Sequence, residues 1–320
     1  MDLHILISNL TNPTLLFFVL GILATLIKSD LEIPQSTSKF ISLYLLFSIG
    51  FKGGQELAHS QFNLEISNSL LLGIVISIII PFYTFYILKT KLSISDSGAI
   101  AAAYGSVSAV TFVAAVSFLE SQKIPFGGHM VAVLALMESP AIIMGVILMR
   151  KYDKESETKE SLKDIIIHSF TNGSVIMILG SLVIGLIADT KQAEGIKPFT
   201  TDIFKGFLAI FLLDMGILTA KRFSAFRKYG LFATAFAIAI PLINGIIISL
   251  VSGLFLSELG NRFIFSILAA SASYIAVPAA MRLVAPKADP GLYIPMALGI
   301  TFPINLTLGM PLYYFIIKNI

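Results

Sequence analysis

Long apolar stretches separated by short polar segments run through the whole chain. Each stretch is close to the roughly 20 residues that a helix needs to cross the hydrocarbon core of a bilayer. Ten stretches can be marked, at residues 13–29, 36–57, 66–88, 96–119, 126–149, 164–188, 200–220, 229–256, 262–283 and 291–316. The pattern therefore predicts an all-α integral membrane protein with ten transmembrane helices.

The composition supports this prediction and narrows the possible functions. Of the 320 residues, 56% are hydrophobic and 13% are charged, whereas soluble domains have roughly 25% charged residues. The net charge of +3 is too small to indicate nucleic-acid binding. The chain has no Cys, no P-loop motif and no catalytic constellation. We therefore expect neither an enzyme nor a bound cofactor.

The basic residues are distributed unequally between the two faces that ten helices would create. Fifteen of the 22 Lys and Arg residues fall on one face and five on the other, while Lys52 and Lys205 lie within helices. Basic residues accumulate on the cytoplasmic side of membrane proteins. We therefore expect the charged linker at 150–163 to be cytoplasmic, with both termini outside an inner (plasma) membrane.

The two halves of the chain, 1–149 and 164–320, are weakly similar at a constant offset of 163 residues. The coinciding pairs are Gly53 with Gly216, Ser108 with Ser271, Gly128 with Gly291 and Glu138 with Thr301. Five helices per half would make the second copy enter the membrane opposite to the first. Such a 5+5 inverted repeat places its binding site near the bilayer midplane. The alternative is chance similarity between apolar helices.

The fourth and ninth helices are unusually rich in small and hydroxyl side chains at their centres. Gly105 weakens the fourth helix, and Pro278 removes a backbone donor from the ninth, so we expect both helices to be broken. The ends of a broken helix offer unpaired N–H and C=O groups to an anion and a cation. The nearby hydroxyls are those of Ser106, Ser108, Thr111, Ser271 and Ser273. Close helix packing is the alternative explanation.

Charged residues within the apolar stretches are the remaining candidates, because a buried charge usually faces a cavity or a partner. Glu138 and Asp214 have no obvious local partner and are candidate ligands of Na⁺ or carriers of a proton, with the hydroxyls of Ser108 and Ser273 as additional oxygens. Structural hydrogen bonding is the alternative role for both carboxylates. Lys52 and Glu56, four residues apart, are expected to pair with each other.

Several of these segments together resemble the sodium-dependent bicarbonate transporter family of the SbtA type. The matching stretches are IGFKGGQELAHS at 49–60, YGSVSAVTFVAAVSFLES at 104–121, LMESPAI at 136–142, SASYIAVPAAMRLVAPKADPGLY at 271–293 and TFPINLTLGMPLY at 301–313. They occur in order along nearly the whole chain. No single stretch is specific to the family, and the resemblance rests on all of them occurring in the same order.

The resemblance implies a ten-helix inverted repeat with crossed broken helices, Na⁺-coupled bicarbonate uptake and a homotrimer. It places the substrate between the fourth and ninth helices, at Gly105, Ser106, Val107, Ser108, Thr111, Ser271 and Ser273. Glu138 occupies the place of the family's acidic residue before a proline, whereas Tyr274 stands where the family tends to carry Asp. Family members also bind a PII-like regulatory protein on the cytoplasmic face.

Other functions remain compatible with this sequence. Symporters that couple Na⁺ or H⁺ to another small organic anion, and cation/proton antiporters, also use five-plus-five repeats with broken helices. A non-transporting membrane scaffold is the remote alternative, since a scaffold would not need two polar broken helices.

Overall fold

A computed structural model of the chain describes residues 11–152, 163–164, 167, 170–226 and 230–320. Helices account for 82% of it, and the described residues contain no strand. The predicted all-α class is confirmed. Most of the predicted linker, at 153–162, lies outside the described residues, as do residues 1–10.

Six helices lie in the described part of the first half of the chain. They are α1 (Pro13–Leu26), α2 (Gln35–Ala58), α3 (Leu64–Leu88), α4 (Ile94–Gly105), α5 (Ala109–Ser121) and α6 (His129–Tyr152). Several begin at a favourable cap: the side chains of Asn12, Asn63 and Ser93 accept hydrogen bonds from the first turns of α1, α3 and α4.

The described residues of the second half contribute seven further helical elements of at least eight residues. They are α7 (Gly173–Ile187), α8 (Thr190–Lys197), α9 (Phe204–Phe226), α10 (Gly230–Val251), α11 (Leu259–Ala270), α12 (Ala276–Val284) and α13 (Pro290–Lys318). The last of these contains two wider π-helical stretches, at Pro295–Thr301 and Asn305–Gly309.

Six of the described segments are long and apolar enough to cross a membrane. They are Leu64–Leu88, Ile94–Ser121, His129–Tyr152, Thr190–Lys221, Gly230–Leu254 and Pro290–Lys318. The helices α1, α7 and α11 are apolar but shorter. These lengths and compositions are those of a multi-pass membrane protein.

Two helix pairs pack so closely that only glycine fits at their contacts. A Cβ atom on Gly54 of α2 would lie 2.1 Å from the carbonyl oxygen of Leu182 in α7. A Cβ atom on Gly21 of α1 would likewise lie 2.1 Å from the carbonyl oxygen of Leu213 in α9. Small residues allow such close approach between membrane helices. Each of these pairs therefore joins a helix from one half of the chain to a helix from the other.

The remaining helices pack as two groups, one of α3, α4 and α6 and the other of α10, α11 and α13. Almost every side chain of α4 and α5 is buried. Hydrogen bonds tie the two groups together: the Asn261 side chain accepts from Gly127 N at 2.7 Å and donates to Glu65 at 2.9 Å. At the start of α4, Asp96 accepts from Asp289 N at 2.8 Å. The segment α4–α5 is therefore held at the centre of the molecule.

Candidate functional site

The first break lies in the middle of the buried segment Ile94–Ser121, between α4 and α5. After Gly105 the chain is extended at Ser106, and it becomes helical again after Ser108. The Ser108 Oγ atom accepts a hydrogen bond from Thr111 N at 3.1 Å, as a helix-capping serine does. The predicted interruption of the fourth transmembrane helix is present, and its hydroxyl residues are buried.

Gly105 has a packing role at this break. A Cβ atom at this position would lie 2.1 Å from Cγ of Pro81 in the middle of α3. The end of α4 can therefore contact α3 only because residue 105 has no side chain.

The second break separates α11 from α12 and spans Ser271–Ile275. The Ser273 Oγ atom accepts from Val277 N at 3.3 Å, which supports the start of α12. Pro278 does not itself interrupt a helix, since it lies in the first turn of α12, where a missing N–H costs no hydrogen bond. The predicted break is present, but it lies just before the proline.

The two breaks contact each other. Ser108 N donates a hydrogen bond to Ser271 Oγ at 3.0 Å, and these two residues lie 163 positions apart in the sequence. Ser273 N donates to the carbonyl oxygen of Ala103, in the last turn of α4, at 2.8 Å. The structure thus brings together the candidates Ser108, Ser271 and Ser273 from distant parts of the sequence.

Four half-helix ends meet at this contact, and their polarities differ. The N-termini of α5 and α12 carry partial positive charge, whereas the C-termini of α4 and α11 carry partial negative charge. Among the described residues, none accepts a hydrogen bond from the N–H groups of Ala109 or Val110 at the start of α5. This end of α5 is thus suited to a small anion.

The helix α13 supports both breaks through two residues that sequence reasoning missed. Thr301 Oγ1 lies 2.8 Å from the hydroxyl oxygen of Tyr104 in α4. The Asn305 side chain donates to the carbonyl oxygen of Ala270, at the end of α11, at 2.7 Å. Both residues lie at the π-helical stretches, which often occur at functional sites. One signal was available, because Thr301 is the counterpart of Glu138 at the offset of 163 residues.

Glu138 is buried in α6, and its Oε1 atom has no hydrogen-bond partner among the described residues. The hydroxyls of Ser106 and Ser139 are likewise buried without a partner. A buried carboxylate is costly unless it is paired. These oxygen atoms have the chemistry that a hard monovalent cation prefers. No group of three or more His, Asp or Glu side chains suited to a metal ion occurs in the described residues.

Asp214 has a protein partner instead. Ser38 Oγ, in α2, donates a hydrogen bond to Asp214 Oδ2 at 2.5 Å, and the carboxylate is buried. This bond matches the structural alternative for Asp214. Its neighbour Met215 accepts a weak contact of 3.7 Å from the Tyr274 hydroxyl, so the second break reaches α9 beside Asp214.

Lys52 forms an ion pair that differs from the expected one. Its Nζ atom lies 3.0 Å from Oε1 of Glu120, at the end of α5, and the described ion pairs do not join it to Glu56. Glu120 Oε2 also lies 3.6 Å from Nζ of Lys205. The predicted pairing of Lys52 with Glu56 was wrong, because tertiary packing brings the carboxylate of Glu120 to the same lysine.

A family model described as the Na⁺-dependent bicarbonate transporter superfamily matches residues 13–318. No curated protein matches the chain. The matched region contains both breaks, Glu138 and every helix described above. Because the match covers nearly the whole chain, the protein belongs to the Na⁺-dependent bicarbonate transporter superfamily.

Proposed function

We propose that this protein is a secondary transporter that carries bicarbonate into the cell together with Na⁺. The observation that carries the proposal is the contact between two buried, broken helices in a chain of this superfamily. Their ends offer backbone dipoles of both signs at one place. Such ends can replace the water shell of a small anion and of its coupling ion. Alternating access to this place from the two sides of the membrane would complete the transport cycle.

We propose further that the chain is a 5+5 inverted repeat. With the offset of 163 residues, α1 corresponds to α7, α2 to α9, α3 to α10, α4 to α11, α5 to α12 and α6 to α13. The direction of α7 supports the inversion. A Cβ atom on Gly50 would meet the carbonyl oxygen of Ile178, and one on Gly54 would meet that of Leu182, so α2 and α7 are parallel. If α1 and α2 cross in opposite directions, α7 therefore crosses opposite to its counterpart α1.

The contacts between loops support the proposed topology, with both termini outside and the linker at 150–163 in the cytoplasm. Glu65, Asn261 and Gly127 are all assigned to the outer face and are joined by hydrogen bonds. Asp96 and Asp289 are both assigned to the inner face and are also joined. We also propose that the protein lies in the inner (plasma) membrane, with the face that carries most of its Lys and Arg residues in the cytoplasm.

For the anion we propose a site at the start of α5 and the crossing of the two breaks. Its residues are Gly105, Ser106, Val107, Ser108, Thr111, Ser271 and Ser273. The N–H groups of Ala109 and Val110 would point to the anion at the positive end of α5. Hydroxyl groups supply further donors. Bicarbonate is small, planar and singly charged, and it matches such a site.

For Na⁺ we propose Glu138, with hydroxyls of Ser108 and Ser273 as further ligands and Asp214 as the less favoured carboxylate. Gly98 of α4 contacts Met149 and Ala102 contacts Gly145, so α4 and α6 are antiparallel. Glu138 precedes Gly145 in α6 by seven residues, which is about two helical turns. Because α6 runs opposite to α4, Glu138 lies beyond Ala102, at the level of the first break. A carboxylate close to an anion is repulsive, and Na⁺ between them removes the repulsion. One Na⁺ also contributes about 2.3 kcal/mol per 100 mV of membrane potential, which offsets the equal cost of moving one monovalent anion inward.

A second candidate function is symport of another small organic anion with Na⁺ or H⁺, and cation/proton antiport is a third. Backbone N–H groups and hydroxyls do not discriminate strongly among small monovalent oxyanions. Tyr274, which stands in the place of the family's Asp, favours these alternatives, because it puts a phenol ring where a carboxylate is expected.

The proposed partners are two further copies of the chain and a PII-like regulator on the cytoplasmic face. Apolar side chains on α1 and α7 are at least 40% exposed, and they support contact with lipid or with another subunit. They are Leu16, Phe17, Val19, Leu20, Leu23, Leu26, Ile176, Val183, Ile184, Leu186 and Ile187. Native mass spectrometry of the purified protein would show a mass of three chains if the trimer is correct.

Uptake of labelled bicarbonate into proteoliposomes tests the proposal directly. An inward Na⁺ gradient should raise the initial rate at least about tenfold over a choline gradient, since coupled transport stops without its ion. Unlabelled formate, acetate, nitrate and chloride serve as competitors and identify the preferred anion. A rate that does not depend on Na⁺ would refute the coupling, and stronger competition by an organic anion would favour the second candidate.

Replacement of Glu138 tests the cation site. Glu138→Gln keeps the size of the side chain but removes the charge, so Na⁺-dependent uptake should fall by about two orders of magnitude, equivalent to about 2.7 kcal/mol. The apparent affinity for Na⁺ should fall with it. Glu32→Gln, at an exposed position, is the matched control and should keep the normal rate. Normal Na⁺ dependence in Glu138→Gln would remove Glu138 from the site.

A further inference from the structure

At the end of α5 remote from the break, the carboxylate of Glu120 lies between two ammonium groups. Its Oε1 atom is 3.0 Å from Lys52 Nζ, and its Oε2 atom is 3.6 Å from Lys205 Nζ. Each oxygen of a planar, singly charged group thus faces one cation. We propose that Lys52 and Lys205 form a second, outer binding site for a planar monovalent oxyanion, and that Glu120 occupies this site until the anion displaces it.

The ion cluster lies at the surface of the protein. The side chains of Lys52 and Glu120 are 33% and 31% exposed, and that of Lys205 is 61% exposed. Lys52 also lines a cavity of about 230 Å³ between the end of α2, the helix α8 and the turn that follows it. This volume exceeds that of a one-carbon oxyanion with several waters, so an anion can reach Lys52 without a rearrangement of the helices.

Glu120 is a weakly held occupant. It lies in the last turn of α5, where the helix dipole repels a negative charge. Ion pairs that are this exposed add little to stability, because water screens them and the side chains lose freedom. An external anion that takes its place leaves Glu120 free to turn toward solvent. The exchange conserves the number of ion pairs at the two lysines.

The neighbouring charges lower the affinity of this outer site for an anion. A low affinity is needed if the anion is to leave the site again for transport. Glu56, Glu194 and Lys197 also line the cavity, so the carboxylates partly offset the lysines. An anion would therefore be concentrated here without being trapped. The site lies about 18 Å along α5 from Ser108, given 12 residues at 1.5 Å each. It is thus distinct from the midplane site, although it rests on the proposed function for its substrate.

Uptake kinetics test the displacement. In Glu120→Gln the two lysines lose their internal competitor, so the KM for bicarbonate should fall by about threefold or more, with little change in the maximal rate. In Lys205→Gln and Lys52→Gln the KM should rise by a similar factor. Both effects should shrink at an ionic strength of about 1 M, where the Debye length is only about 3 Å. Lys191→Gln, on the exposed face of α8, is the control and should behave as the unmodified protein.

Two results would overturn the proposal. If Glu120→Gln raises the KM as the lysine variants do, the cluster is only a structural tie between α5 and its neighbours. If the three variants and the control share one KM, the lysines do not meet the anion. Lys205→Gln decides the matter if Glu120→Gln does not fold, since Lys205 is the most exposed of the three.

A binding measurement separates this proposal from the proposed transport function. Calorimetric titration of the purified protein with sodium-free formate probes the lysine pair without a Na⁺ gradient. Binding that strengthens in Glu120→Gln and weakens in Lys205→Gln supports the outer site even if bicarbonate is not transported. Bicarbonate uptake that depends on Na⁺, together with formate binding that is insensitive to these variants, leaves transport intact and rejects the outer site.

Discussion

The two breaks contact each other but differ in construction. The first is short, with Ser106, Val107 and Ser108 between its helices, and a serine side chain caps the start of α5. The second spans five residues, and no side chain of its N-cap residue, Ile275, caps α12. The residues of the first break are buried, whereas Ile275 is 42% exposed.

This difference in capping goes with a difference in contacts. The N–H groups of Ala109 and Val110 at the positive end of α5 have no acceptor among the described residues, which suits the anion proposed there. The second break reaches α9 through Tyr274, which contacts Met215 at 3.7 Å. The helix after the first break also reaches α9, through the ion pair of Glu120 with Lys205 at 3.6 Å. Two breaks that lie about 163 residues apart thus differ in how the following helix is capped, while both connect to α9.

The largest difference between the two breaks is expected when the packing of the first break against α3 is disturbed. Gly105→Ala places a Cβ atom 2.1 Å from Pro81 Cγ, so α4 must move away from α3. We expect a loss of about 1–3 kcal/mol of stability, because overpacked cores cost that much, and a loss of uptake. Thermal unfolding of the purified protein measures the first effect. Gly206→Ala, where no atom lies within 4 Å of the new Cβ, is the control and should be tolerated. Equal stability of the two variants would show that the first break is not rigid.

An intermediate effect is expected from the two serines that support the half-helices. Ser108→Ala removes the cap of α5 and should cost about 1 kcal/mol. Ser273→Ala loses only a longer bond of 3.3 Å to Val277 N and should cost about half as much. Uptake should fall more in the first variant, since Ser108 also determines where α5 begins. The reverse order, in melting temperature and in initial rate, would contradict the assignment of the anion to the first break.

The smallest effect is expected at the far end of α5. Lys123 has a φ of 57°, in the left-handed region that glycine adopts without strain. Lys123→Gly should therefore raise stability by up to about 1 kcal/mol. Uptake should be unchanged, because this residue lies at the opposite end of α5 from the break. A lower melting temperature would mean that the lysine side chain stabilises the turn more than its backbone strains it.

Much of the fold could be predicted from the chain alone. Apolar stretches of a length that spans a bilayer predicted the helical class. Gly105 and Pro278 predicted the two interruptions, although the second lies just before Pro278. These features are local. A helix forms where its own residues make the backbone hydrogen bonds. It ends where a segment of small, polar residues offers other hydrogen-bond partners to the backbone. Sequence patterns record such properties directly.

The partners of each side chain could not be predicted in this way. The pairing of Lys52 with Glu120 instead of Glu56, and the supports that Thr301 and Asn305 give to the breaks, join residues far apart in sequence. The same holds for Asp214, which receives its hydrogen bond from Ser38. Periodicity and composition carry no information on which distant helix lies beside a given residue.

The sequence by itself determined that the chain is helical, apolar and interrupted at two places, because each of these follows from a single segment and its solvent. Only the tertiary structure decided that the interruptions touch, through Ser108 and Ser271, and that Glu138 is left with an unpaired oxygen. Hydrogen bonds and burial depend on the positions of several helices at once. Those positions are set by the packing of all the helices together, through contacts such as that of Gly54 with Leu182.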